Sequence, residues 1–153
     1  MAKRYTYRLV RARFAPPRDA PFALAVPETL DLDALEEATR HLPGRHDFAA
    51  FALAGGAHTT SVRTIYAASW IDEPPWLTLS VVGDGFLRGM VRGLAGTLLD
   101  VALGRRTVAS FATLLEGGDR NAAGPTAPAH ALTLERVWFG VRERPDAVLV
   151  SNE

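Results

Sequence analysis

The sequence predicts an α+β domain in the split βαβ, ferredoxin-like layout: an antiparallel sheet with helices on one face and the other face open. Three observations carry that prediction. Apolar and polar residues alternate from Tyr5 to Arg13, two β-branched and aromatic runs flank Asp72-Glu73-Pro74-Pro75, and a long helix-spaced apolar stretch separates that hairpin from a last strand. With 153 residues, 48% of them hydrophobic and 22% charged, the chain can bury one substantial core and has no room for two. We expect a single domain over 1–142 and a flexible tail over 143–153.

In the first strand Tyr5, Tyr7 and Leu9 share one face, and Arg4, Thr6 and Arg8 the other. Pro16, Pro17, Pro21 and Pro27 make 15–30 a connection unfit for regular structure, with Phe22 and Leu24 laid against the body. Asp33 and Glu36 read as a capping pair for a first helix from Asp33 to His41, which Pro43-Gly44 stops. His46-Asp47-Phe48, Phe51 and Gly55-Gly56 follow without a readable pattern. The hairpin strands are Thr60 to Ile71 and Trp76 to Val82. Phe86, Met90, Val91, Leu94, Leu98 and Val101 place a principal helix over Phe86 to Leu103, ended by Gly104. Thr107 caps a shorter helix through about Leu115, and the last strand runs from Leu132 to Phe139.

Seventeen basic and seventeen acidic residues cancel, yet they are segregated. Lys3, Arg4, Arg8, Arg11 and Arg13 precede any acid, and Glu28, Asp31, Asp33, Glu36 and Glu37 form an acidic block. Lys3 is the only lysine, and arginine's planar fork suits phosphate oxygens and base stacking, although genome base composition produces the same bias. The absence of cysteine removes disulfides, thiolate metal sites and cysteine nucleophiles, so a cytoplasmic location is expected. The N-terminus has no signal-peptide pattern, and Arg88 and Arg92 interrupt the longest apolar helix, so no membrane span is expected.

The principal helix breaks local rules most, because Gly89, Gly93 and Gly96 each cost about 1 kcal/mol relative to alanine. Arg88 and Arg92 stand four apart beside those glycines, so a backbone or an anion can approach closely next to two cations. Tight packing against a strand, with both arginines solvated, explains the same spacing. Tyr5 and Tyr7 in the most basic strand suit base stacking or a core equally, and no glycine-aromatic RNA-recognition signature accompanies them. His46-Asp47 could form an acid/base pair, but the four histidines are too scattered for a metal set. No Gly-rich phosphate loop ending in Lys-Ser or Lys-Thr occurs.

Residues 85–99, Gly85-Phe86-Leu87-Arg88-Gly89-Met90-Val91-Arg92-Gly93-Leu94-Ala95-Gly96-Thr97-Leu98-Leu99, resemble the G-F-L-x-x-M-V-R-x-x-x-G-x-L-L motif of the tRNA pseudouridine synthase A family. Arg4-Tyr5-Thr6-Tyr7 resembles its R-Y-x-Y strand, and Gly44-Arg45-His46-Asp47-Phe48 with Phe51 its G-x-H-D-F-x-x-F. Ser61-Val62-Arg63-Thr64-Ile65, Asp119-Arg120 and Ala123-Gly124-Pro125-Thr126-Ala127-Pro128-Ala129-His130 resemble its T-V-R-T-I, D-R and A-G-P-T-A-P-A-H segments. Ala131 and Thr133 depart from the family's usual glycine and tyrosine.

The resemblance covers only the C-terminal half of such a synthase. It implies an isomerase that converts uridine to pseudouridine in the tRNA anticodon stem-loop without cofactor or metal. The family nucleophile, the aspartate of an R-T-D-x-G-V-H-A motif, has no counterpart here, since Arg63-Thr64 is followed by Ile65. The chain alone is therefore expected to be inactive, with an Asp-bearing N-terminal domain or partner chain completing it at an exposed patch around Tyr5, Phe86 and Arg92. By the same resemblance Arg92 orients the aspartate and Tyr5 packs on the uracil and moves a proton at carbon five. Phe86 and Leu87 line the pocket, and Arg88, Arg4, Arg8 and Arg45 are candidates for phosphate contacts. A non-catalytic tRNA-binding domain, or a protein-interaction module using the open sheet, stands as the alternative, and a homodimer is left open.

Overall fold

The computed structural model describes residues 1–140. Six strands and three helices follow in the order β1 (Ala2–Arg11), β2 (Leu24–Val26), α1 (Leu32–Thr39), β3 (Gly44–Asp47), β4 (Val62–Glu73), β5 (Trp76–Gly83), α2 (Met90–Ala102), α3 (Val108–Leu114) and β6 (Leu132–Trp138). The sheet runs β2-β1-β5-β4-β3, and β6 also pairs with β1. Its four main strands, β4-β5-β1-β6, are antiparallel neighbours, the α+β layout the sequence predicts. Tyr7, Leu9, Leu77, Leu79 and Val81 enter one core with Leu35, Met90, Leu94, Leu98 and Phe111 of the helices. Each such large side chain, fully buried, contributes about 1.5–3 kcal/mol. On the opposite face Ala2, Val82 and Trp138 make a second, small buried cluster.

Several boundaries differ from the sequence reading, each for a local reason. The proline-rich connection contains β2, parallel to β1 through Leu9↔Leu24 to Arg11↔Val26. Antiparallel β6 pairs β1 only from Ala2 to Tyr7, so the remaining backbone groups on that edge need another strand. Ala23 and Val26 anchor that segment, whereas Phe22 is 65% exposed rather than laid against the body. The unreadable His46-Asp47 stretch is β3, paired with β4 from Gly44↔Ile65 to Asp47↔Val62. Helix α1 is capped by Asp31, whose carboxylate accepts from the Ala34 N–H at 3.0 Å, not by Asp33.

The principal helix starts at Met90, four residues later than its apolar spacing suggests. Gly89 adopts φ +69° at the N-cap, a left-handed conformation that puts Phe86 and Leu87 in the preceding loop instead of on the helix wheel. Strand β4 runs from Val62 to Glu73, shortening the hairpin turn to Pro74-Pro75. Thr107 does cap α3, accepting from the Ser110 N–H at 3.1 Å. The tail expected over 143–153 lies outside the described residues, among which no helix is long and apolar enough to cross a membrane.

Candidate active site

The glycines of α2 locate the site. A Cβ on Gly93 would stand 2.5 Å from the Phe51 carbonyl oxygen, and one on Gly96 would collide with the Pro125 carbonyl. Loop backbone lies directly on the helix at both positions. The close approach expected from sequence is therefore real, made by two loops rather than by a strand, and this packing offsets the helix cost of glycine.

The loop at 123–130 is strapped down along its length. Gly124 N–H donates to Thr97 Oγ1 at 3.1 Å, and that hydroxyl donates to the Gly93 carbonyl at 2.8 Å. Arg120 donates to the Gly124 carbonyl at 2.7 Å and to Thr126 Oγ1. Ala127 N–H donates to the Arg92 carbonyl at 3.0 Å, while Arg92 Nε donates back to the Ala127 carbonyl at 2.9 Å. Tyr7 Oη donates to the Pro128 carbonyl at 2.6 Å. His130 Nε2 lies 2.9 Å from the Ala23 carbonyl.

Arg92 is thus held by one of its three nitrogens. It is half-buried, and among the described residues its Nη atoms have no hydrogen bond or ion pair. Burial pushes the Tyr7 phenol up to about 12, and the Arg92 charge pulls partly the other way, which places the two side chains within electrostatic reach. On the same face of β1, Tyr5 meets Phe86 edge-on, with ring centroids 4.9 Å apart at 77°. Leu87, next to Phe86 in the same loop, is buried at 4% exposure.

Of the residues singled out from sequence, Tyr5 and Phe86 touch each other, and Arg92 shares the 123–130 strap with Tyr7, which lies two residues from Tyr5 on β1. Tyr5, Phe86 and Arg92 are half-buried, not an exposed patch; the exposed apolar neighbour is Leu134, the β6 partner of Tyr5 and 47% exposed. Arg88 is exposed at the rim, its Nη1 donating to the Ala54 carbonyl at 2.8 Å. Arg4 and Arg8 lie on the opposite face. Arg4 is buried over the Trp138 ring and 3.9 Å from Glu135; burial lowers its pKa, Glu135 raises it, and Arg136 lowers it further. Arg8 stacks 3.7 Å from the Trp76 ring centroid and 3.7 Å from Asp19. Arg45 is exposed on β3, the far edge of the sheet.

His46 and Asp47 do not form an acid/base pair. Asp47 Oδ1 accepts from Ala49 N–H at 3.0 Å and Ser61 Oγ at 2.6 Å, while His46 Nε2 sits 3.2 Å from the Pro43 carbonyl. Asp47 thereby fixes the turn at Ala49–Phe51 that rests on Gly93. Among the described residues no group of three or more His, Asp or Glu could hold a metal ion. Sequence reasoning missed the hydrogen bond from Tyr7 to the Pro128 carbonyl, although a buried tyrosine always raises the question of where its hydroxyl bonds.

Fold and site together define a split βαβ domain with an aromatic pair and a half-buried, singly held guanidinium. The sequence profile of a family described as tRNA pseudouridine synthase matches residues 38–140. Proteins named tRNA pseudouridine synthase A are similar along most of the chain. The one from Syntrophotalea carbinolica is 39% identical over 143 residues, 94% of this chain and 57% of its own length. That of Pelobacter propionicus is 44% identical over 138 residues, 90% of this chain and 57% of its own. That of Bacillus licheniformis is 40% identical over 137 residues, 90% of this chain and 56% of its own. The chain belongs to the tRNA pseudouridine synthase family, and it spans little more than half the length of these relatives.

Proposed function

We propose that this chain is the C-terminal half of the catalytic unit of a tRNA pseudouridine synthase, acting on uridines of the anticodon stem-loop with an aspartate that another polypeptide segment supplies. The observation that carries this reading is the Arg92 guanidinium, half-buried and held through Nε alone. Its Nη atoms suit a bidentate grip on a carboxylate, which would orient the aspartate and keep it ionised in a pocket closed to water. Tyr5 and Phe86 would receive a base taken out of its stack. The isomerisation breaks the bond between uracil N1 and ribose C1′, turns the base, and joins C5 to C1′. The proton on C5 then leaves for solvent while N1, freed from the sugar, takes one up, and Tyr5 is the group we assign to assist the transfer at C5. Whether the aspartate adds first to sugar or to base, no cofactor is needed. Leu87 would wall the pocket, and Arg88 is the best placed of the phosphate-contact candidates. Arg4, Arg8 and Arg45 could touch phosphates only along other surfaces.

The test uses tRNA carrying tritium at uracil C5. The chain alone should release none, and the chain mixed with an Asp-bearing N-terminal half of a relative should release it. Arg92→Ala in that mixture should cut turnover by at least about a hundredfold while tRNA affinity changes only a few-fold. Turnover by the chain alone overturns the proposal, and tRNA binding without turnover in the mixture reduces it to a binding scaffold.

A further inference from the structure

We propose that Tyr7 is a positioning residue for Arg92, its hydroxyl holding, through Pro128, the strap that holds the guanidinium; as a statement about catalysis this rests on the function proposed above. The strap is poor in its own donors, because Pro125 and Pro128 have no N–H. The carbonyls of Ala127 and Pro128 therefore take their donors from side chains, Arg92 Nε at 2.9 Å and Tyr7 Oη at 2.6 Å.

These two anchored carbonyls are consecutive. Between them lie a planar peptide bond and a φ fixed by the proline ring, with Pro128 at φ −57° and ψ 143°. Only one soft torsion, ψ of Pro128, separates them. Fixing the second carbonyl leaves the first only rotation about that one bond, and the first aims Nε and with it the plane of the guanidinium. Tyr7 itself is wholly buried in the core, opposite Leu79 on β5. Loss of its hydroxyl would leave the Pro128 carbonyl without a donor, so the strap would turn toward water and the fork would lose its aim. A bidentate ion pair tolerates little misalignment, whereas tRNA binding does not depend on that angle.

The first experiment needs only this chain: hydrogen exchange of the Arg92 Nε–H, followed by ¹H–¹⁵N NMR in the wild type and in Tyr7→Phe. Exchange should accelerate roughly tenfold or more as that hydrogen bond opens. Unchanged exchange in a folded Tyr7→Phe overturns the proposal. Should Tyr7→Phe not fold, Arg92→Gln gives the reciprocal reading: the Tyr7 ¹³Cζ resonance should shift, and an unmoved resonance overturns the proposal. In the mixture with the Asp-bearing half, Tyr7→Phe should lower kcat roughly ten- to a hundredfold with KM for tRNA within about twofold. A change confined to KM counts against positioning. If the wild-type mixture makes no pseudouridine, the proposed function fails, while the Nε–H measurement still decides what Tyr7 does to Arg92.

Discussion

The two faces of β1 set cations beside aromatic rings in opposite ways. On the open face Arg8 lies over Trp76 beside Asp19, and Arg4 lies over Trp138 beside Glu135, so each guanidinium has both a ring and a carboxylate close by. On the helix face Arg92 has a single carbonyl at Nε, and Tyr5 and Phe86 meet edge-on. Charge and ring together therefore do not mark a site, since both faces have them. What separates the faces is incompleteness: a half-buried cation with unused donors, held in place by a loop that is itself fully anchored.

Breaking the strap is the most severe way to test that difference. In Gly96→Ala the new methyl meets the Pro125 carbonyl, with Pro125 C at 2.9 Å and Ala127 N at 3.2 Å, all backbone that cannot rotate aside. We expect a loss of about 3 kcal/mol or more, read as a lower urea midpoint with unchanged slope. Whatever folded protein remains should have lost the Arg92 to Ala127 hydrogen bond. The open face should be unaffected, with Arg4 still over Trp138.

A gentler probe is alkaline pH. The Tyr7 phenol is raised from 10.0 to about 12 in the folded state, so between those values the unfolded chain gives up a proton that the folded chain keeps. Stability from this group is complete below about pH 10 and falls as pH rises toward 12. Urea midpoints measured from pH 9 to 11.5 should decline, and Tyr7→Phe should flatten part of that decline. An equal slope in the variant would mean that other groups account for it.

How far the sequence reveals this difference depends on the range of the interactions. Alternation exposes β1 and β5, and Thr107 exposes α3, because those signals are local. Three-residue β2 and four-residue β3 are too short for periodicity, and they form because neighbouring strands leave backbone groups to be paired. Apolar Phe86 fits a helix wheel, yet the left-handed turn at Gly89 decides that it packs from a loop. The rule-breaking Gly93 and Gly96 make a close backbone approach beside Arg92 legible from spacing, but tight packing explains that spacing without a site. The hydrogen bond of the Tyr7 hydroxyl is not legible, since its acceptor lies 121 residues away in the chain.

The smallest expected effect lies on the open face and sharpens the contrast from that side. Arg8 has a side chain 40% exposed, stacked on Trp76 and 3.7 Å from Asp19. An exposed stack and an exposed ion pair contribute about 1 kcal/mol or less each, and salt screens the second. Arg8→Ala should therefore lower stability by about 1 kcal/mol, leave Arg92 Nε–H exchange untouched, and keep kcat in the reconstituted mixture within about twofold. A kcat loss as large as that expected for Arg92→Ala would show that a cation with ring and carboxylate at hand can still be part of the machinery. Incompleteness would then cease to be the mark that separates the two faces.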